Sequence, residues 1–337
     1  MKILVWGAGA VGSAVGAALV RAGVDVTFVD AAPAHVAALR EHGLVLEADG
    51  ETSVLPVWAM HPEELSGQWD RVLLCVKSQH TTVAAVMLRP HLAEDGVVLS
   101  LQNGLCAGVV AETVGPERTL AGFVNFGADV LAPGRIGFGN RGTVAIGELN
   151  GRMTPRLAEM GALLRHFEPE AICTPDIHGY VWGKLAYASL LFAQALGMAG
   201  IADCLARPEL AGLWARLAGE VLAVARAEGV RPRGFNGFDP QAFDAGGTAA
   251  ARGASVAAMV AFNRASAKSH SGVWRDLAVH RRATEVEAML GLVVARGAVH
   301  GLACPVLARL VAMVHEVEAG LRGQIDANLD ELAALYD

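Results

Sequence analysis

The chain has 337 residues, of which 53% are hydrophobic and 18% charged, and a formal net charge of −7. That is enough apolar material for a sizeable core, and at roughly 150 residues per domain the length points to two domains. The acidic balance argues against a general partner of nucleic acid or of an anionic membrane.

The first residues, KILVWG, read as a short buried strand. No charge follows Lys2 as far as Val20, but Gly7, Gly9, Gly12 and Gly16 punctuate the run. It therefore reads as strand, turn and a helix over Ser13–Ala22, not as a signal peptide or a membrane span. VDVTFVD is a second strand, followed by a helix around Ala34–His42. DRVLLCVK is a third strand with Lys77 at its end; a helix near Thr82–Leu92 and the strand GVVLSLQNG come next. Strands alternating with helices imply a doubly wound parallel sheet. LAPGRIGFGNRGTVAIGE is glycine-rich with short apolar runs, and it predicts hairpin strands at the sheet edge.

From about Pro175 the strand patterns stop. Helices are expected over Ile177–Met198, Pro208–Glu228, Gly253–Lys268, Ala283–His300 and Pro305–Arg322, with RPRGFNGFDPQ as a loop among them. The expected organisation is α/β plus all-α: a Rossmann-like domain over 1–174 and a helical domain over 175–337 whose apolar faces suit a homodimer. The apolar run Leu185–Ala202 is long enough by count to span a bilayer, but Ser189, Gln194, Gly197 and Gly200 mark it as a core helix. Lys184 is the only formal charge between Asp176 and Asp203. A buried ammonium needs a partner, a route to water or a chemical role.

Two features carry chemistry. GAGAVG, residues 7–12, follows a strand and opens a helix. In that context Gly7, Gly9 and Gly12 suit a tight turn, close approach of a pyrophosphate and close helix–sheet packing, while the N–H groups around Ala10 and Val11 favour phosphate. Asp30 ends the second strand roughly 20 residues on, where a carboxylate accepts hydrogen bonds from ribose hydroxyls and repels a 2′-phosphate. Ala31, Ala32 and Pro33 follow it with no basic residue, and Arg40 is the nearest cation, so NAD is favoured over NADP. The cysteines are Cys75, Cys106, Cys173, Cys204 and Cys304; they form no CxxC pair, which suits reduced thiols in a cytoplasm. No metal-ligand spacing appears.

Together, GAGAVG, LLCVKSQHT (73–81), LSLQNGL (99–105), APGRIGFG (132–139), VWGKLAY (181–187) and ATEVEAMLG (283–291) resemble the ketopantoate reductase family over nearly the whole chain. The resemblance implies reduction of a 2-oxo acid, such as 2-dehydropantoate in pantothenate synthesis, with NADPH. It implies that Lys184 is the catalytic lysine and that Asn103 meets the nicotinamide end and the substrate. It places Lys77 beside the cofactor, Ala128 along the cofactor channel, and Glu285 near the cofactor ribose and the active site. Ser271 resembles a substrate-binding serine, although the spacing from Asp276 to Glu285 is one residue longer than usual.

Two departures stand out. The family carries asparagines four and eight residues after the lysine, where this chain has Ala188 and Phe192. On a helix those positions share the lysine's face. Their replacement predicts a different or more apolar substrate, with Asn125 as a possible substitute amide. The second departure is Asp30–Ala31, where NADPH enzymes of the family tend to place a basic residue. The rival readings are a dehydrogenase of the same fold acting on another 2-oxo or 3-hydroxy acid, and a non-catalytic dinucleotide sensor.

Overall fold

Short runs of Val, Ile, Leu and Phe become strands in the computed structural model, which describes residues 2–266 and 269–335. In chain order they are β1 (Lys2–Trp6), β2 (Asp25–Val29), β3 (Leu44–Ala48), β4 (Glu51–Leu55), β5 (Trp58–Met60), β6 (Trp69–Leu74), β7 (Leu92–Ser100), β8 (Thr119–Val124), β9 (Gly127–Ala132), β10 (Arg135–Asn140), β11 (Val144–Glu148) and β12 (Ile172–Cys173). One eight-stranded sheet runs β12-β11-β8-β7-β6-β1-β2-β5, parallel except where β11 meets β8. The chain winds outward from β1 through β2 to β5, then returns to β6 on the other side of β1. The strand order thus reverses between β1 and β6, and the carboxyl ends flanking that point are where such sheets bind ligands.

Burial explains the apolar runs. Ile3, Val5, Leu73 and Leu99 enter one core; Leu4, Val72, Leu74 and Val98 enter a second. Alternate residues thus serve opposite faces, both covered, as parallel sheets require. The helix Ala10–Arg21 starts three residues before the expected Ser13. Gly16 lets the Phe28 ring lie against that helix, since a Cβ there would collide with the ring.

The glycine-rich hairpin exists, as antiparallel β9 and β10, but it is not at the edge of the main sheet. It belongs to a separate four-stranded sheet, β4-β3-β10-β9. The reason is the hairpin β3–β4, which the sequence reading passed over. Its Asp49–Gly50 turn takes positive φ at both residues, and β3 offers an edge that β10 joins in parallel. Only Val144–Glu148, as β11, enters the main sheet.

The chain divides into two compact units, one ending at Ile177 and one beginning at His178. Among the described residues of the second unit the only β pairing is a bridge between Phe235 and Phe238; the rest is helix and loop. Its first helix, Ile177–Gln194, stops short of the expected Met198. The cause is tertiary. Gln324 and Asn328 donate to the carbonyls of Ala195 and Leu196, each at 2.8 Å, and Asp326 accepts from Met198 N at 2.7 Å. Those side chains satisfy the orphan groups of the helix end. The helix expected to reach Lys268 ends at Arg264, and residues 267–268 lie outside the described residues. The segment expected as Ala283–His300 begins with a π turn, Glu287–Gly291, before the α-helix Leu292–Val299. No described helix is long and apolar enough to cross a membrane.

Candidate active site

The glycine-rich turn begins where β1 ends. Gly7 has φ +100°, and its N–H donates to Val29 O at 2.7 Å, tying the turn to β2. A Cβ on Gly7 would lie 2.7 Å from Val76 N, and one on Gly12 would collide with Gly7 O. At Gly9, by contrast, an added Cβ meets nothing within 4 Å. Two glycines therefore serve internal packing and the middle one keeps the backbone approachable, the division of labour a pyrophosphate site needs. The helix that follows has no side-chain cap and no acidic residue in its first turn. The first-turn N–H groups, those of Ala10, Val11 and Gly12, have no partner within the helix and suit an anion. These residues fit a dinucleotide.

Asp30 follows β2 directly. Its Oδ2 accepts from Ala8 N and its Oδ1 from Ala32 N, both at 2.9 Å. A carboxylate has about four lone-pair sites, so two remain for ribose hydroxyls. The residues from Ala31 to Ala34 are exposed and uncharged. Arg40 is engaged elsewhere: it donates to Ala59 O at 2.7 Å and pairs with Glu64, whose carboxyl it holds below the usual range.

Lys77 lies three residues beyond β6, not at the strand's end. Cys75 N still donates to Trp6 O at 2.7 Å, after which the chain turns into the single 3₁₀ turn Ser78–His80. Asn103 stands in the loop after β7, beside Gly104 at φ +75°. One residue missed in the sequence joins these two loops. Gln102 is 7% exposed; its amide donates to Val76 O (3.0 Å) and Thr81 Oγ1 (2.7 Å) and accepts from Ser100 Oγ (2.9 Å). It braces the Lys77 and Asn103 loops at the carboxyl ends of neighbouring strands beside the switch point. Its only sequence signal is a polar residue ahead of Asn-Gly. Ala128 lies on β9, paired with Phe138 and packed partly buried against the core.

In the second unit, Lys184 sits on the helix Ile177–Gln194, mostly buried. Burial lowers its pKa to about 8, and the Glu285 carboxylate acts in the opposite direction by favouring the charged form. Glu285 opens the last helical stretch of the motif: its carbonyl accepts from Met289 N at 3.0 Å, next to the π turn. Gly183 allows close approach from another loop, since a Cβ there would strike Arg233 O. Ala188 and Phe192, where amides were expected, are 7% and 1% exposed. Asn125 belongs to the first unit, its N–H donating to Thr143 O at 2.9 Å.

A second group passed over in the sequence is Tyr187, one turn from Lys184. It is 7% exposed, within an aromatic cluster containing Phe235 and Phe238. Asn263 Nδ2 donates to its hydroxyl at 3.1 Å. Among the described residues no acceptor takes the phenol's own proton. Burial pushes this phenol up to about 12, against the opposing effect of Asn263, so it remains a donor. Ser271 caps the helix Gly272–Ala278, accepting from Trp274 N at 3.1 Å. Its segment is tied to residues 197–201, past the far end of the Lys184 helix, by Trp274 Nε1 to Gly197 O (3.0 Å) and Ile201 N to Ser269 O (2.8 Å).

Comparison with known proteins identifies the family. Residues 3–151 match the family model "Ketopantoate reductase PanE/ApbA" and residues 176–318 match its C-terminal counterpart. The 2-dehydropantoate 2-reductase of Halobacterium salinarum is 32% identical, covering 93% of this chain and 98% of that protein. The one from Archaeoglobus fulgidus is 29% identical, covering 95% and 99%. Among solved structures, a PanE/ApbA family ketopantoate reductase from Ralstonia eutropha superposes with a TM-score of 0.79 at 28% identity, covering 95% of this chain and 99% of that one. D-mandelate dehydrogenase in complex with NADH and anilino(oxo)acetate shares the fold, with a TM-score of 0.84 at 21% identity and coverage of 95% and 99%.

Replacing Gln102 by Leu leaves Ser100, Thr81 and Val76 O without their partner. Unfolding in urea is expected to show a loss of about 1–3 kcal/mol, together with weakened dinucleotide binding by fluorescence titration. Unchanged stability and binding would remove Gln102 from its bracing role.

Proposed function

The chain belongs to the ketopantoate reductase family, and on that footing we propose that it reduces a 2-oxo acid to the 2-hydroxy acid, with Lys184 as proton donor. The observation that carries this reading is the one ammonium of a helix with no other formal charge, desolvated by burial and faced by the Glu285 carboxylate. Gly7, Gly9, Ala10, Val11 and Gly12 hold the cofactor's pyrophosphate, Asp30 its adenine ribose, and Lys77, Asn103 and Ala128 lie along the rest of it. Reduced nicotinamide, when bound, supplies a hydride to the carbonyl carbon. Lys184 then transfers its proton to the carbonyl oxygen as negative charge develops there, and it stabilises that charge beforehand. The amine left behind regains its proton from water. Glu285 keeps the ammonium form populated by its charge. Asn103 orients the reacting groups, and the Ser271 hydroxyl, although it caps a helix, keeps its own proton for a substrate oxygen.

The finer reading concerns cofactor and substrate. NADH is favoured over NADPH because Asp30 repels a 2′-phosphate and Arg40 is committed to Ala59 O and Glu64. The substrate is a 2-oxo acid with an apolar or aromatic side chain. Ala188 and Phe192 offer it no hydrogen bonds, whereas the Tyr187 proton, on the same helix face as Lys184, suits a carboxylate or carbonyl oxygen. A homodimer of this chain and a cytoplasmic location complete the proposal.

Three outcomes test it. Lys184→Ala is expected to lose most of kcat while NADH still binds; near-normal turnover would sink the assignment. The rate of reduction is expected to hold below pH about 8 and fall above it, because the proton donor is lost there. Stability has the opposite sign. The unfolded lysine, at about 10.4, binds more protons than the folded one between these values, so stability rises across that window. Finally, a panel of 2-oxo acids with each cofactor is expected to favour NADH and apolar acids, and Tyr187→Phe to raise the KM for the acid about tenfold. Preference for NADPH and 2-dehydropantoate would overturn the finer reading and leave the reductase.

A further inference from the structure

His35 lies in the first turn of the helix Pro33–His42, 7% exposed, and both ring nitrogens are engaged. Gly134 N–H donates to Nδ1 at 3.0 Å. A backbone N–H can only donate, so Nδ1 is the bare nitrogen and Nε2 carries the proton. Nε2 lies 2.8 Å from the carbonyl oxygen of Ala8, to which it therefore donates. Ala8 stands between Gly7 and Gly9, within the turn that would cradle a pyrophosphate. Its carbonyl also accepts from Ser13 Oγ at 2.6 Å, and its N–H donates to Asp30 at 2.9 Å. Gly134, at the other end of the imidazole, is in the β9–β10 turn with φ +73°, where its carbonyl accepts from Val45 N at 2.9 Å.

The imidazole is thus a rigid strut from the second sheet to the one residue between two glycines. Glycine-rich backbone has the most freedom to lose, so a turn that must present its N–H groups in one orientation needs outside support. We propose that His35 is a positioning residue for the dinucleotide: by holding the Ala8 carbonyl it sets the orientation of the peptides that meet the pyrophosphate. It touches no cofactor atom in this role. The inference rests on the dinucleotide-binding reading given above and on no assumption about the acid.

Two amides separate the halves of the strut, because a Gln amide reaches the place of Nε2 and an Asn amide that of Nδ1. His35→Gln keeps the donor to Ala8; His35→Asn keeps the partner of Gly134 and loses Ala8; His35→Leu loses both. Kd for NADH is read from NADH fluorescence on the full chain, and folding from thermal melts without cofactor. His35→Asn and His35→Leu are expected to weaken NADH about tenfold, and His35→Gln to stay near wild type. Steady-state assays should show a raised KM for NADH at unchanged kcat in His35→Asn. Equal affinities in wild type, His35→Asn and His35→Gln overturn the proposal, as does equal loss in both amides with equal loss of melting temperature, which is a purely structural role. Binding of neither NADH nor NADPH by the wild type overturns the parent reading instead.

Discussion

Desolvation of one ammonium sets the terms for the helical unit. A cation taken out of water is costly unless something compensates, and the helix Ile177–Gln194 contains no acid of its own. Glu285 supplies the compensating charge from a segment about a hundred residues later. Burial still wins, since the pKa of Lys184 falls to about 8 despite the carboxylate. For the proton-donor role proposed above, a pKa close to the operating pH is the favourable one, and burial set against charge brings Lys184 toward it. Gly183 admits the Arg233 backbone beside Lys184, and Gln324, Asp326 and Asn328 hold the chain just past the helix's far end.

The first unit solves a different problem. In the proposed cofactor site, backbone N–H groups on a turn made flexible by glycine meet an anion. The structure restricts that turn with hydrogen bonds from several elements: Val29 O on Gly7, Asp30 and Ser13 on Ala8, and His35 on the same carbonyl. The nearby strand-end loops are joined in the same way by Gln102. A switch point between parallel strands offers a place for a ligand. The buried polar groups around it decide how rigidly the ligand is met, because each loses a full hydrogen bond if its partner moves.

The substrate proposed above turns on Ala188 and Phe192. Ala188 and Phe192 are buried and offer no hydrogen bonds on the Lys184 face of the helix, where the Tyr187 hydroxyl is oriented by Asn263 from a separate helix. A site that hydrogen-bonds a particular substrate hydroxyl rejects analogues lacking it far more strongly than an apolar pocket rejects an extra methylene. On the substrate reading proposed above, a site without amides at those two positions gives up one kind of selectivity and leaves fit to an apolar group as the main discriminator.

Much of this was legible in the chain. Strand patterns alternating with helical ones predicted the parallel sheet, and GAGAVG predicted the turn that opens the first helix. The isolation of Lys184 between Asp176 and Asp203 is equally plain in the sequence. These signals are local: they depend on spacing along a strand or helix, which the sequence states directly. What tertiary structure alone decided involves partners distant in the chain. The pairing of β10 with β3 moved the predicted edge hairpin into a second sheet. Side chains from residues 324–328 ended the first long helix at Gln194. His35 meets Gly134 across 99 positions, Tyr187 meets Asn263 across 76, and Gln102 reaches back to Val76 and Thr81. Buried polar groups must find hydrogen-bond partners wherever the fold puts them, and that requirement leaves no periodic trace in the residues themselves.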